Sequence, residues 1–61
     1  MYAVIERDRD GKEKVVKKIN FFVNARDYAE ALDEDTGDNG CNYLVRKINE
    51  NGDLGEIVAI I

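Results

Sequence analysis

Two glycine-containing turns, each lying between runs of β-forming residues, constrain the fold of this chain more than any other feature. Asp10-Gly11 follows the run Tyr2–Ile5 and precedes Val15-Val16. Asn51-Gly52 follows Tyr43–Val45 and precedes Ile57–Ile61. Asp-Gly and Asn-Gly between such runs are the strongest short-range signals of a β-hairpin. The sequence therefore predicts two hairpins, one towards each end of the 61 residues.

The charges beside the turns favour a particular register. A three-residue loop, with Gly11 in the left-handed conformation, places Arg7 opposite Glu13. A two-residue turn would instead place Arg7 opposite Lys14. Cross-strand pairs of opposite charge stabilise a sheet by roughly 0.2–1 kcal/mol, and like charges destabilise it. We therefore predict three-residue loops in both hairpins, with the pairs Ile5–Val15, Glu6–Lys14, Val4–Val16, Ile48–Leu54, Arg46–Glu56 and Val45–Ile57.

The segment between the turns predicts a long second strand and then one helix. Alternation of apolar residues predicts a strand from Lys14 to Val23, whose core face carries Val15, Ile19, Phe21 and Val23. Asn24 is a suitable N-cap, with Asp27 in the capping-box position. The helix then buries a stripe with i, i+3, i+4, i+7 spacing that consists of Ala25, Tyr28, Ala29 and Leu32.

These elements predict a single small α+β domain in the order ββαββ. Its parts are a hairpin over 2–23, a helix over 24–36 and a hairpin over 41–61. We expect a four-stranded antiparallel sheet with the helix packed on one face.

The composition argues against catalysis and against metal binding. The chain has no His and one Cys, Cys41, so it cannot form a Ser–His–Asp triad, a four-ligand Cys/His zinc site or an internal disulfide. The acidic segment Asp33–Gly40 lacks the ligand spacing of an EF-hand calcium loop. We therefore predict a protein that is not an enzyme and that uses no metal and no cofactor.

Negative charge is concentrated in the helix and the loop after it. Residues 24–40 contain six acids and one base, whereas the rest of the chain contains seven acids and eight bases. Three consecutive acids oppose the helix dipole at its C-terminal end, where they stabilise nothing. We predict that a partner-binding surface is formed by Glu30, Asp33, Glu34, Asp35 and Asp38. A solvated helix end without a partner is the alternative interpretation.

The second hairpin is apolar on both faces, whereas one helix can cover only one side of a sheet. We assign Leu44, Ile48, Leu54, Val58 and Ile60 to one face, and Tyr43, Val45, Ile57, Ala59 and Ile61 to the other. A sheet that is apolar on both sides needs cover on both. The missing cover is either a second copy of the chain or another protein. We predict a homodimer that forms through the uncovered sheet face or through the edge near Ile57–Ile61.

These features predict a small protein-binding inhibitor or regulator whose partner is a basic host protein surface. In size and charge the chain resembles the small accessory and inhibitor proteins that bacteriophages encode against host machinery, such as defence nucleases or transcription. One alternative is an oligomeric nucleotide- or small-molecule-binding module, with anion-binding residues Lys14, Lys17, Lys18 and Arg46. Another is an antitoxin-like or structural subunit.

Charge and hydropathy also suggest where the chain acts. We expect a cytoplasmic protein, because charged residues within the first ten positions argue against a signal peptide and no apolar run is long enough to span a membrane. The negative net charge of −4 argues against direct nucleic-acid binding.

Overall fold

The computed structural model describes residues 1–36 and 40–61. The elements, in chain order, are β1 (Tyr2–Arg7), β2 (Glu13–Ile19), α1 (Phe22–Thr36), β3 (Asn42–Ile48) and β4 (Leu54–Ile60). The four strands form one sheet in the order β2-β1-β3-β4, and every neighbouring pair is antiparallel. The predicted α+β fold with ββαββ order is confirmed.

Both hairpins close with three-residue loops, as predicted. In the first, the Asp8 N–H donates to the Lys12 carbonyl at 3.0 Å, and the second is closed in the same way. Gly11 and Gly52 have φ values of 84° and 90°. These angles lie in the left-handed region that a side chain makes costly, which is why a glycine stands at this point in each loop.

A β-bulge in β2 shifts the first hairpin after its initial pairs. Arg7–Glu13 and Ile5–Val15 pair as predicted, but the predicted pair of Val4 with Val16 is wrong, because Val4 faces Lys17. The extra residue changes the alternation of side chains along β2. As a result Val16 and Ile19 both pack on the helix side of the sheet, where strict alternation would have separated them.

Bulges also shift the second hairpin. Ile48 pairs with Leu54 as predicted, but Arg46 lies opposite Ile57 rather than Glu56. Val45 lies opposite Ala59 rather than Ile57. The faces of two residues are therefore exchanged relative to prediction. Ile57 joins the face of β3 that carries Arg46, and Val58 packs in the core under the helix.

The strand-to-helix boundary lies earlier than predicted. β2 ends at Ile19 rather than Val23, and α1 begins at Phe22 rather than after Asn24. The Phe21 carbonyl accepts the first helical hydrogen bond, from the Ala25 N–H at 3.0 Å. The β-forming residues at 21–23 therefore belong to the start of the helix.

The buried stripe of α1 also differs from the predicted one in a single aromatic residue. Ala25 and Ala29 are fully buried and Leu32 packs beside them, as predicted. Tyr28 is instead an exposed residue at the flank of the stripe. Phe22 packs on the sheet in its place, with its ring centroid 5.6 Å from that of Tyr2.

The sheet has a small core on each side. The helix-side core is formed by Val4, Ala25, Ala29, Tyr43 and Val45. We call the opposite side of the sheet the open face, since α1 packs over the helix side of β3, β1 and β2. On the open face Ala3, Ile5 and Leu44 are at most 1% exposed, although no helix covers them.

Candidate protein-binding site

The acids predicted to form the partner-binding surface lie on α1, apart from Asp38, which falls outside the described residues. Glu30, Glu34 and Asp35 are exposed and Asp33 is half-buried. Asp27 is exposed three positions before Glu30 and extends the same group. We call the five helical carboxylates the acidic surface: Asp27, Glu30, Asp33, Glu34 and Asp35.

Asp27 was missed because the sequence suggested a capping role. The helix begins at Phe22, so Asp27 lies in its second turn and not beside an N-cap. No acidic residue occupies the first turn of α1. The signal that could have identified Asp27 is its spacing of three from Glu30, which places the two on neighbouring positions of one helix surface.

Most of the acidic surface lies away from the sheet. The helix packs on the sheet through Ala25 and Ala29, with Phe22 and Leu32 beside them. All members of the acidic surface are exposed except Asp33, which is half-buried four positions after Ala29. The exposed carboxylates are therefore available to another molecule without loss of the core.

The net charge of α1 equals that of the whole chain. α1 contains five acids and one base, Arg26, which is a net charge of −4, and the chain has a net charge of −4. The remaining eight acids and eight bases cancel. The sheet and its loops are therefore neutral overall, and the negative charge is confined to one element.

Very little of this charge is neutralised locally. Arg26 Nε lies 4.0 Å from Glu30 Oε1, and both side chains are about half exposed, so this pair contributes little. In the described part of the chain, the other four carboxylates of the acidic surface form no salt bridge. The last turn of α1 also contains no basic residue. The helix thus presents its carboxylates uncompensated.

The alternative anion-binding residues do not all lie on one face of the molecule. The register places Lys14 and Lys17 on the helix side of β2, opposite Glu6 and Val4. Lys18 and Arg46 flank Ala3 on the open face. The three lysines are exposed along one edge of the sheet, whereas Arg46 is engaged with other residues.

Arg46 forms the most extensive side-chain network among the described residues. Its Nε and Nη2 donate to the Glu13 carboxylate at 2.9 and 3.1 Å, and its Nη1 donates to the Gly55 carbonyl at 2.9 Å. Arg7 Nη2 donates to the same carboxylate at 2.7 Å. These hydrogen bonds lower the pKa of Glu13 to about 2, with Arg46 the larger cause, and the same contact raises the pKa of Arg46.

The network explains how the open face is covered without a helix. Glu13 lies on β2 and Gly55 on β4, which are opposite edges of the sheet. Arg46 lies on β3, which is next to β4, and only β1 separates it from β2, so its long side chain reaches partners on both edges. The side chains of Arg46 and Glu13 therefore meet across β1, on the face where Ala3 and Ile5 are buried.

A second polar group lies on the helix side, near the end of β1. The Tyr43 hydroxyl donates to Glu6 Oε2 at 3.3 Å, and the Cys41 thiol lies 3.8 Å from Glu6 Oε1. Burial, and then the Glu6 carboxylate, raise the pKa of Cys41. The thiol is therefore held in its less reactive protonated form at neutral pH.

Residues 1–36 and 40–61 contain no ligand-sized cavity and no group of three metal-ligating side chains. Within the same residues no helix has the length and apolar character needed to cross a membrane. Comparison with known protein families, with curated proteins and with solved structures gave no match to this chain.

Proposed function

We propose that this chain is a small non-enzymatic inhibitor or regulator that binds a basic surface of a partner protein through the acidic surface of α1. The observation that carries the proposal is the confinement of the net charge to this helix, where Arg26–Glu30 is the one salt bridge found among residues 1–36 and 40–61 to offset it. A bacteriophage antagonist of a host defence or transcription protein is one member of this class.

The position of these carboxylates on α1 supports a role in binding and not in folding. Asp33, Glu34 and Asp35 lie in the last turns of α1, where carboxylates face the negative end of the helix dipole. Each therefore costs a few tenths of a kcal/mol at an exposed site. Residues that are unfavourable for local structure and bring no stability in return are typical of functional sites.

A confined charge of this kind would act mainly on recognition. Complementary potentials steer two proteins together and exclude partners of like charge. Their effect falls as salt shortens the screening length, which is about 8 Å at physiological ionic strength. Binding through the acidic surface should therefore weaken as salt is added.

Affinity capture with two charge-matched variants tests the proposal. The helix-reversal variant changes three acids of the acidic surface: Asp33→Lys, Glu34→Lys and Asp35→Lys. The loop-reversal variant changes three exposed acids of the hairpin loops: Asp10→Lys, Glu50→Lys and Asp53→Lys. Each moves the net charge from −4 to +2, so any difference between them reports position and not total charge.

The immobilised chain and both variants are exposed to lysate of the cells in which the chain is made, and bound proteins are quantified by mass spectrometry. The proposal predicts a basic protein that the wild type and the loop-reversal variant retain and the helix-reversal variant loses. Equal retention by all three would contradict it. Loss on Lys14→Glu with Lys17→Glu, and not on helix reversal, would favour the anion-binding alternative.

A further inference from the structure

The two edge strands of the sheet differ in how they resist pairing with another chain. Both contain bulges, so the difference is chemical. β2 exposes Lys14, Lys17 and Lys18, and edge lysines are a common protection against unwanted strand pairing. The only charged residue in β4 is Glu56. β4 is therefore the less protected edge.

β4 is also the strand that α1 covers least. α1 packs mainly over the helix side of β3, β1 and β2, although Val58 and Ala59 of β4 also pack against the helix-side core. On the open face, Leu54, Ile57 and Ile60 of β4 are 41%, 37% and 72% exposed. An edge strand with exposed apolar side chains and few charges is a site for adding another strand.

We propose that two copies of this chain form a twofold dimer by antiparallel pairing of their β4 strands. Leu54, Ile57 and Ile60 are three residues apart, and the bulges place all three on the open face. A twofold axis at Ile57 sets Ile57 opposite its counterpart and Leu54 opposite Ile60 of the second copy. The paired strands then continue the sheet to eight strands with one unbroken apolar row.

The charges favour a second copy as the occupant of this edge. In the same register Glu56 lies directly opposite Val58 of the second copy, so the two Glu56 residues are diagonal and not direct cross-strand neighbours. The acidic surface lies on α1, away from β4, and so does not oppose the approach of two molecules of charge −4. Pairing of β2 with β2 would instead bring the lysines of both copies together.

Sedimentation equilibrium of the purified chain at tens of micromolar tests the proposal with two matched variants. Ile57→Lys places like charges at the twofold axis. Val15→Lys makes the same change on the same face, at a side chain that is 38% exposed, but at the β2 edge. We expect a dimeric wild type, a dimeric Val15→Lys and a dissociation constant at least about tenfold higher for Ile57→Lys.

Circular dichroism establishes that each variant is folded, and Ile60→Lys, at the most exposed of the three positions, replaces Ile57→Lys if that variant unfolds. A monomeric wild type at high micromolar concentration would overturn the proposal and leave β4 to a strand from another protein. A dimer that survives both Ile57→Lys and Ile60→Lys would overturn it as well. Equal weakening of the dimer by Val15→Lys and Ile57→Lys would also overturn the proposal, because the dimer contact would then involve the whole open face and not the β4 edge.

Discussion

Truncation of Ile5 tests whether the open face contains a true core. Ile5 is fully buried beside Ala3 and Leu44, on the side of the sheet that α1 does not cover. Replacing a buried Ile by Ala costs about 2–5 kcal/mol, because transfer energy is lost and a cavity remains. A folded chain of 61 residues has about 3–9 kcal/mol of stability in total. Ile5→Ala should therefore remove a large part of it.

Val15→Ala is the matched control for this truncation. Val15 is the direct cross-strand neighbour of Ile5 on the same face, but its side chain is 38% exposed. Its truncation should cost about 1 kcal/mol or less. The contrast between neighbours separates burial from any general effect of shortening a side chain on this face.

Urea unfolding followed by circular dichroism measures both costs, at one fixed protein concentration because a dimer's stability depends on concentration. With a slope of about 1 kcal/mol per molar urea, Ile5→Ala should lower the midpoint by about 2 M or more. If Ile5→Ala does not fold, Ile5→Val should still cost about 0.5–1.5 kcal/mol. Equal effects of Ile5→Ala and Val15→Ala would refute a buried core on the open face.

Three further predictions concern the turns, the ion network and the helix end. Gly52→Val should lower the free energy of unfolding by more than about 1 kcal/mol in urea titrations, because its φ of 90° strains a β-branched residue even where nothing touches the added Cβ. Because the fold lowers the Glu13 pKa from 4.5 to about 2, this group stabilises fully above pH 4.5, and the contribution is lost as the pH falls towards 2. Stability between pH 5 and 2 should then fall less steeply in Glu13→Gln than in the wild type, and parallel curves would contradict the network. The helix-reversal variant should unfold at the same or a slightly higher temperature than the wild type, since each change relieves a few tenths of a kcal/mol of dipole repulsion, and a clear loss of stability would show that these acids support the fold.

The parts of the fold that could be predicted from sequence are those that depend on neighbouring residues. The loops at Gly11 and Gly52 follow from local backbone chemistry, and the pairs next to them follow from local charge. Element order and the Ala25–Ala29 contact follow from periodicity.

The bulges could not be predicted because they depend on packing between distant strands. Nothing near Val16 in sequence requires a second helix-side residue, but the core beneath α1 does. The exchange of Ile57 and Val58 has the same origin in β4. Each bulge moves side chains to the opposite face, so a strictly alternating pattern assigns them wrongly.

The candidate site, like the fold, could be predicted from sequence only where it depends on neighbouring residues. The acidic surface is visible in sequence as acids outside the buried stripe of a helix, apart from Asp27, which was assigned to the cap. The Arg46–Glu13 network was invisible, because its partners are 33 residues apart and meet only when β1 lies between them. Arg46 therefore appeared as a residue available for anions.

The affinity of the captured partner for the wild type and the two charge-matched variants decides whether the acidic surface is the binding site. Titration calorimetry or surface resonance at 50 and 300 mM salt would give the three dissociation constants under both conditions. We expect at least tenfold weaker binding by the helix-reversal variant, about 1.4 kcal/mol, with the loop-reversal variant close to wild type at low salt. We also expect this difference to shrink at high salt. Equal affinities for the two variants would contradict a binding site on the acidic surface of α1.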